Sequence, residues 1–335
     1  MKKPCGKFHK KIQNSPGTRR KFALFFAATL CVMMVVLTTC DNFMVKNILP
    51  DRTKKGKFFA ISEIGNVAYS TDGINWEVVA TLPSSIGAWT GLCYGKGKFV
   101  ATGIDISNNA AYSDDGINWF TTSLPNQYGC EIVCYGNGRF VGVPISDDTS
   151  AWSTNGKTWS PATTTLANGS WRGVCYGNGK FVAVSQNVGA AYSFNGNDWT
   201  SIPLTGNWSD VCYGKGRFVA VSNDNLVAYS DNGVGWTTKP SPVNNNARVN
   251  VCYGNGIFVA VFYNTDQAAY SSDGDTWTTV SLPGTGLWRE VCYGNGKYVA
   301  VSHSSYQAAC STDGENWIPA TLPIDDWNNV CYGGN

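Results

Sequence analysis

The sequence VCYGNGKFVAV at residues 174–184 recurs along the chain with small changes, and it decides the fold. Its Cys-Tyr-Gly signature occurs seven times, with spacings of 41, 41, 37, 40, 40 and 39 residues, at Cys93, Cys134, Cys175, Cys212, Cys252, Cys292 and Cys331. A period of about 40 residues indicates a repeat architecture, in which each unit is one supersecondary element that buries its apolar face against its neighbours. We therefore expect one continuous array rather than two independent domains.

Each unit contains four short segments with the composition of β-strands. The first ends in Val-Cys-Tyr, and an Asn-Gly or Lys-Gly turn leads to a second strand such as KFVAV at 180–184. These two strands form a hairpin. A third strand follows, as in AAYS at 110–113, and a fourth opens on Trp after another turn. Four strands per unit with turns between them predict the blade of a β-propeller.

The two ends of the array are complementary. It begins with a second strand, KFFAI at 57–61, and it ends with a first strand, NNVCY at 328–332. The last strand can therefore complete the first blade and hide both sheet edges. We predict an all-β fold over residues 56–335, a seven-bladed β-propeller of four-stranded antiparallel blades that is closed by pairing of the N- and C-terminal strands.

A second motif occupies the third turn of every unit. It reads Ser, any residue, Asp or Asn, Gly, two residues and Trp, and its third positions are Asp72, Asp115, Asn155, Asn195, Asn232, Asp273 and Asp313. It resembles the Asp box of bacterial neuraminidase repeats, although it is one residue shorter and three units carry Asn. The resemblance covers all seven units and implies a sialidase-like propeller. Asp and Asn both accept hydrogen bonds from the backbone two residues on, so we expect these residues to be structural.

The N-terminus carries the features of an export signal. Residues 1–39 combine eight Lys or Arg, no Asp or Glu, and an apolar run from Phe22 to Leu37 that is short for a spanning helix. LTTC at 37–40 resembles the lipobox of bacterial lipoproteins, with Thr39 in place of the usual Gly, Ala or Ser, and this implies lipidation of Cys40. We predict a signal peptide over 1–39, a lipidated cysteine and tether over 40–55, and a location in the bacterial cell envelope. An uncleaved anchor and a freely secreted product are the alternatives.

The charge of the exported body limits its partners. Without residues 1–39 the chain has 17 basic and 23 acidic residues, which is a net charge of about −6. A mildly acidic body argues against nucleic acid and against an anionic membrane surface. We expect a monomer that contacts a membrane through its lipid anchor only.

The repeated cysteines predict buried thiols rather than disulfides. Seven of the twelve cysteines occupy one equivalent position per repeat, on successive sheets about 10 Å apart. A disulfide requires Cα atoms within about 7 Å. We therefore expect no disulfide bonds, with the repeated cysteines acting as small buried apolar residues.

The two faces of the ring differ in sequence. The first-to-second turns and the boxes share one face and barely vary, whereas the distance from the box Trp to the next repeat Cys runs 17, 15, 16, 13, 16, 15 and 14 residues. Variable loops on a rigid scaffold are where binding usually occurs. The first strands begin near this variable face, and their first residues form the candidate ligand site, namely Trp89, Trp171, Trp208, Arg248, Trp288 and Trp327, together with Arg172 and Arg289.

This candidate site has two interpretations. Indoles surrounded by amides and carboxylates suit a carbohydrate or a peptide, but the same tryptophans could instead wedge neighbouring blades apart. The arginines could bind a carboxylate ligand, or they could pair with Glu290 and Asp210 in a solvated rim.

The residues for catalysis by known schemes are largely missing. The sialidase resemblance would require an arginine triad, a Tyr-Glu pair and an acidic proton donor, and only the arginines have candidates. His303 is the sole histidine beyond the signal, so we predict no His-based triad, no metal and no cofactor. Paired loop acids, Asp147 with Asp148 and Asp325 with Asp326, could in principle serve glycoside hydrolysis or bind Ca²⁺, but nothing nearby supplies the burial that would tune one of them for catalysis.

Three functions follow from these observations. The first is a non-catalytic binding or scaffolding propeller that recognises protein or glycan through its variable face. The second is a divergent sialidase-like or other glycoside hydrolase, and the third is an envelope assembly factor. We predict the first, and hence that the chain is not an enzyme.

Overall fold

The computed structural model describes residues 56–83, 87–104, 109–125, 128–244 and 246–334. These residues form 26 β-strands in six antiparallel sheets. The predicted signal peptide, Cys40 and the tether lie outside the described residues. Within the described ranges, no helix combines the length and the apolar character that crossing a membrane requires.

Five of the sheets have four strands each, and each sheet corresponds to one repeat. Their strands are β1 Lys57–Ser62, β2 Asn66–Ser70 and β3 Glu77–Thr81 with β26 Trp327–Gly333; β4 Ala88–Gly95, β5 Lys98–Ile104, β6 Asn109–Ser113 and β7 Trp119–Ser123; β8 Ile132–Gly136, β9 Arg139–Val143, β10 Ala151–Ser153 and β11 Ser160–Pro161; β12 Trp171–Gly177, β13 Lys180–Ser185, β14 Ala190–Ser193 and β15 Thr200–Ile202; and β16 Trp208–Gly214, β17 Arg217–Ser222, β18 Leu226–Ser230 and β19 Thr237–Pro240.

The sixth sheet corrects the predicted number of blades. It has six strands and holds the last two repeats: β20 Val249–Gly254, β21 Ile257–Ser271, β22 Thr278–Gly294, β23 Lys297–His303, β24 Gln307–Ser311 and β25 Ile318–Thr321. Two long strands join these repeats, because β22 continues from the fourth strand of one repeat into the first strand of the next, and β21 pairs with it as far as Tyr263↔Leu287. The structure therefore has six sheets, and the prediction of seven separate blades is wrong.

The chain ends pair as the sequence indicates. Strand β26 lies antiparallel to β1, with Phe59 opposite Cys331 and Lys57 opposite Gly333. The C-terminal strand therefore completes a sheet whose other three strands are N-terminal, and neither end of the array leaves a free inner edge.

The first strands of the repeats surround a central space. Neighbouring first strands contact one another in the order β4, β8, β12, β16, β20, β22, β26 and back to β4. We call the space inside this ring the central channel. At the C-terminal end of each first strand, the glycine of the Cys-Tyr-Gly signature lies against the tyrosine ring of the next repeat. The pairs are Gly95–Tyr135, Gly136–Tyr176, Gly177–Tyr213, Gly214–Tyr253, Gly254–Tyr293 and Gly294–Tyr332.

The hairpin turns have the predicted backbone. At the turn between β8 and β9, Asn137 has a φ of 48° and Gly138 a φ of 75°. Two consecutive positive φ angles are typical of a type I′ turn, which matches the right-handed twist of the flanking strands. Asn and Gly tolerate this region better than other residues, and this explains why they recur at these positions.

The third turns use the same hydrogen bonds whether the repeat carries Asp or Asn. Asp72 Oδ1 accepts hydrogen bonds from the N–H groups of Ile74 and Asn75, both at 2.9 Å. Asn155 Oδ1 accepts from Lys157 at 2.8 Å and Thr158 at 2.9 Å. The amide oxygen replaces the carboxylate oxygen without a change in geometry, as expected for a structural turn.

Candidate functional site

The five predicted site tryptophans belong to the core. Their exposed fractions are 2% for Trp89, 1% for Trp288 and 0% for Trp171, Trp208 and Trp327. Four of the indole N–H groups donate to the carbonyl four residues earlier, as in the 3.0 Å bond from Trp171 to Ala167. Each indole packs against apolar residues of the sheets, so these five tryptophans offer no aromatic surface to a ligand. The wedge interpretation fits this burial.

A buried carboxylate organises the polar groups of the central channel. Glu131, at the start of β8, is 2% exposed and accepts hydrogen bonds from Arg172 Nη1 at 2.6 and 2.7 Å. Arg248 Nη1 donates to the same carboxylate at 3.1 Å. Arg248 precedes β20, which is not a neighbour of β8 in the ring, so this contact crosses the channel. Two of the three predicted arginines therefore meet at one residue, and that residue is neither Asp210 nor Glu290.

Glu131 is ionised in this setting. Burial alone would raise its pKa, but the positive charges of Arg248, Arg172 and Arg289 outweigh burial and hold the pKa below the usual value for glutamate. Arg172 reaches both carboxylate oxygens through the single nitrogen Nη1, and the Glu131 side chain is buried, so solvent screens these ion pairs less than it screens surface pairs.

Arg289 is the third cation of this group, and it is only partly compensated. Burial, followed by repulsion from Arg248, lowers the pKa of Arg289 to about 10, so it stays charged at neutral pH. Glu131 and Glu63 attract it through space. Among the described residues, however, no side chain or backbone group makes a hydrogen bond to its guanidinium. Arg172 likewise keeps a buried Nε atom without a partner among the residues described.

Two further carboxyl groups, Asp210 on β16 and Glu290 on β22, face the channel from the two strands that flank β20. Burial raises the pKa of Asp210, against the hydrogen bonds that it accepts from the N–H groups of Val251 and Val211. Burial and then the charge of Asp210 raise the pKa of Glu290. Two acids that share an enclosed space disfavour each other's ionisation, so at least one holds its proton near neutral pH.

Amide side chains complete the polar lining of the channel. Asn250 and Asn329 donate to Glu290 Oε2 at 3.1 and 3.3 Å, and Arg248 Nε donates to Asn250 Oδ1 at 3.3 Å. A chain of hydrogen bonds thus runs from Glu131 through Arg248 to Glu290. It links three first strands and holds the charged groups in place.

A groove on the variable face adjoins this cluster. One cavity of about 470 Å³ is lined by Arg172 with Ser146, Asn168, Ser170 and Asn187. A second cavity of about 550 Å³ shares Asn187 and continues past Gln186, Asn207 and Asp224. We call the two cavities together the amide groove. It offers many hydrogen-bond donors and acceptors, with Arg172 at the end next to the channel.

The repeated cysteines lie along the first strands as free thiols. The described residues contain nine cysteines, and none forms a disulfide. Burial raises the pKa of Cys93, Cys175, Cys212, Cys252 and Cys292 well above the usual value for a thiol. The thiols therefore stay protonated, which makes them poor nucleophiles.

Glu131 was not predicted as a site residue, and Asp210 and Glu290 were expected in a solvated rim. A signal was available in the repeat alignment. The residue two positions before the repeat cysteine is Asp210, Asn250, Glu290 or Asn329 in four units, although it lies within an otherwise apolar strand. Polar residues at a position that the repeat buries indicate an internal polar network.

Comparisons with solved structures show which fold the chain has. No protein-family model matches the sequence, and no curated protein matches it. Solved structures do match. Virginiamycin B lyase from Staphylococcus aureus has 12% identity and a TM-score of 0.66, over 74% of this chain and 89% of that chain. The chain is a β-propeller.

Other solved β-propellers resemble this chain to a similar degree. A streptogramin B lyase matches with 11% identity and a TM-score of 0.64, over 80% of this chain and 89% of that chain. AztD from Citrobacter koseri, in its apo form, matches with 9% identity and a TM-score of 0.60, over 84% of this chain and 99% of that chain. Identities this low show the shared fold and leave the function open.

The prediction that the chain is not an enzyme is overturned by these neighbours. The virginiamycin B lyases are enzymes, and they share this fold. The absence of a recognisable catalytic triad from a β-propeller is therefore no argument for a non-catalytic role. The sequence offered only loop acids such as Asp147 and Asp148 as candidate proton donors, whereas burial raises the pKa of Asp210 and Glu290 in the channel.

Proposed function

We propose that this β-propeller binds an acidic carbohydrate on its variable face, with the carboxylate of the ligand at Arg289 and Arg172. The observation that carries the proposal is the excess of cations. Three arginines gather around one ionised carboxylate, and Arg289 has no hydrogen-bond partner among the described residues. Arginine presents a planar set of donors that suits a carboxylate.

The amide groove supports the carbohydrate part of the proposal. Asn168, Asn187, Gln186 and Asn207 supply both donors and acceptors, which hydroxyl groups require. The groove meets the cation cluster at Arg172, so one ligand can place its hydroxyls in the groove and its acid at the channel.

The test is a titration of acidic oligosaccharides, together with their carboxyl-reduced counterparts, against the wild-type protein and two arginine variants. We expect the acidic forms to bind, and Arg289→Gln to weaken binding at least tenfold. Arg139→Gln is the matched control. Arg139 lies on the opposite face, where it donates to the carbonyl of Asn195, and its loss should leave affinity unchanged. Equal binding of the carboxyl-reduced forms would refute the proposal.

Catalysis on such a ligand is a second candidate, and one observation favours it. Burial raises the pKa of Asp210 and Glu290, which is what a proton donor for glycoside cleavage requires. Turnover of fluorogenic glycosides that is lost in Glu290→Gln but kept in Asp231→Asn, a surface carboxylate, would support it. No turnover across a broad panel would leave binding alone.

We propose further that the protein is exported as a monomer and is anchored through a lipid on Cys40. The apolar run and LTTC at 37–40 support this. In a bacterial host, Cys40→Ala should move the protein from the membrane fraction to the soluble fraction. Membrane attachment that persists in this variant would indicate an uncleaved anchor instead.

A further inference from the structure

Three side chains with metal-binding groups meet where the first and last repeats adjoin. Glu63 follows β1, His303 ends β23, and Asp326 precedes β26. One imidazole nitrogen and one oxygen from each carboxylate all lie within 4.8 Å of one another. His303 is the one histidine among the described residues, and it lies at this meeting point of two carboxylates.

The backbone holds two of these residues together. The Glu63 N–H donates to the Asp326 carbonyl at 2.8 Å, and the Glu63 carbonyl accepts a hydrogen bond from the Trp89 N–H at 3.0 Å. These contacts come from three separate strands of the closure region. The backbone positions of Glu63 and Asp326 are therefore set by contacts between strands of the ring.

The imidazole is oriented toward the carboxylates. His303 Nε2 lies 3.2 Å from Glu63 Oε2, and its other nitrogen, Nδ1, lies 2.8 Å from Ser304 Oγ. A histidine that ligates a metal commonly has its second nitrogen hydrogen-bonded, which fixes the ring. The carboxylate of Asp326 has no hydrogen-bond partner among the described residues, so its oxygens are available.

We propose that Glu63, His303 and Asp326 bind one divalent transition-metal ion, with Zn²⁺ preferred. A mixed set of one imidazole and two carboxylates suits Zn²⁺ better than Mg²⁺ or Ca²⁺, which take oxygen ligands. All three residues are half-buried, so an ion can enter and water can fill the remaining positions.

An ion bound at this location would stabilise the closure of the ring. Its ligands come from the first and the last repeats, so binding joins the two ends of the array. A ligand that binds the folded state alone raises stability in proportion to the logarithm of its concentration. Arg289 opposes binding, because it interacts with Glu63 and repels a cation.

The experiment is a titration of the full-length protein with ZnCl₂ by calorimetry, paired with thermal unfolding. We expect one ion per chain and a rise in Tm of about 5 °C at a hundredfold excess over Kd. His303→Gln and Asp326→Asn should each weaken binding at least tenfold. Asp266→Asn, which changes an exposed acid within the long strand β21, is the charge-matched control and should bind as the wild type does.

Two further results distinguish this site from a metal site elsewhere on the chain. Arg289→Gln should tighten Zn²⁺ binding, because a repelling charge beside Glu63 is removed, and a distant site would not respond. With Co²⁺, an absorption spectrum without a thiolate charge-transfer band is expected, since no cysteine is among the ligands. Unchanged affinity in both ligand variants, a thiolate band or the absence of a Tm shift would overturn the proposal. None of these readouts depends on carbohydrate binding.

Discussion

Gly333 lies against the ring of Tyr94, and this contact closes the circle of repeats. A Cβ atom built on Gly333 would fall 2.2 Å from Cγ of Tyr94, which is far inside van der Waals contact. The same glycine-to-tyrosine contact joins each of the remaining pairs of neighbouring repeats. The C-terminal signature therefore packs on the second repeat in the same way that all internal signatures pack on their successors.

These close contacts predict a strong effect of adding one methyl group. Gly214→Ala would place its Cβ 1.9 Å from the Tyr253 ring, and we expect a loss of about 1–3 kcal/mol in the free energy of unfolding. Gly235→Ala is the control, because nothing lies within 4 Å of its Cβ position and its φ is not positive. Urea denaturation measures both, and equal stabilities would contradict the packing argument.

Closure also predicts the result of a short truncation. Deletion of residues 325–335 removes β26 and exposes the edge of β1, so we expect aggregation or loss of cooperative unfolding. Deletion of residues 334–335 alone keeps β26 and should leave the protein soluble. Size-exclusion chromatography and thermal melting distinguish the two. A longer truncation as stable as the parent would show that β26 is not needed for closure.

The third turns predict that an acceptor oxygen for the backbone matters more than the negative charge. Asp115 Oδ1 accepts hydrogen bonds from the N–H groups of Ile117 and Asn118, both at 2.8 Å. Asp115→Asn keeps this acceptor but loses the 2.7 Å hydrogen bond that Oδ2 accepts from Asn118 Nδ2, so it should cost up to about 1 kcal/mol in the free energy of unfolding, whereas Asp115→Ala loses every acceptor and should cost about 2 kcal/mol. Chemical denaturation of both variants tests this. An Asn substitution as costly as the Ala substitution would show that the backbone acceptor is not what stabilises this turn.

The channel acids predict that stability falls as pH rises. Burial raises the folded-state pKa of Asp210 and Glu290 above their unfolded values, so the folded state binds protons more tightly. Their contribution is therefore complete below about pH 4 and is lost progressively toward about pH 8. Glu131 has a lowered pKa, so its contribution to stability is present at neutral pH and is lost only at acidic pH.

The variant that checks this prediction combines Asp210→Asn with Glu290→Gln. We expect it to flatten the pH profile of the free energy of unfolding between about pH 4 and about pH 8. Asp231→Asn removes a carboxylate that is 72% exposed, and it should leave the slope unchanged. An unaltered slope in the double variant would show that these two acids do not titrate as described.

Replacement of Arg289 is expected to weaken ligand binding without lowering the stability of the protein. Its guanidinium is largely enclosed, is repelled by Arg248 and has no hydrogen-bond partner among the described residues. Arg289→Gln should therefore leave the free energy of unfolding unchanged or raise it by up to about 1 kcal/mol. A loss of more than about 1 kcal/mol would assign Arg289 a structural role rather than a binding role.

The sequence predicted what the repeat pattern encodes locally. The turn at Asn137 and Gly138, the box turns and the pairing of β1 with β26 follow from short motifs and strand order, and the structure has all three. The fusion of the last two repeats was missed, because nothing in the composition of residues 257–294 marks where a strand continues through a turn or a link.

The site was harder to predict, because it depends on side chains that are distant in sequence. Glu131 and Arg248 are 117 residues apart, and their contact exists only because the ring brings β8 and β20 to opposite sides of one channel. For a related reason, the sequence left open whether the tryptophans contact a ligand or pack between blades. The repeat shows that they share one position, but it does not show that the position faces the next sheet.

Recognition of an acidic ligand through Arg289 is tested by the difference in affinity between an acidic oligosaccharide and its carboxyl-reduced form, determined by calorimetry for the wild-type protein and for Arg289→Gln. We expect the wild type to prefer the acid at least tenfold and the variant to lose this preference. Equal affinities in the wild type, or a preference that survives in Arg289→Gln, would show that Arg289 does not bind the carboxylate of the ligand.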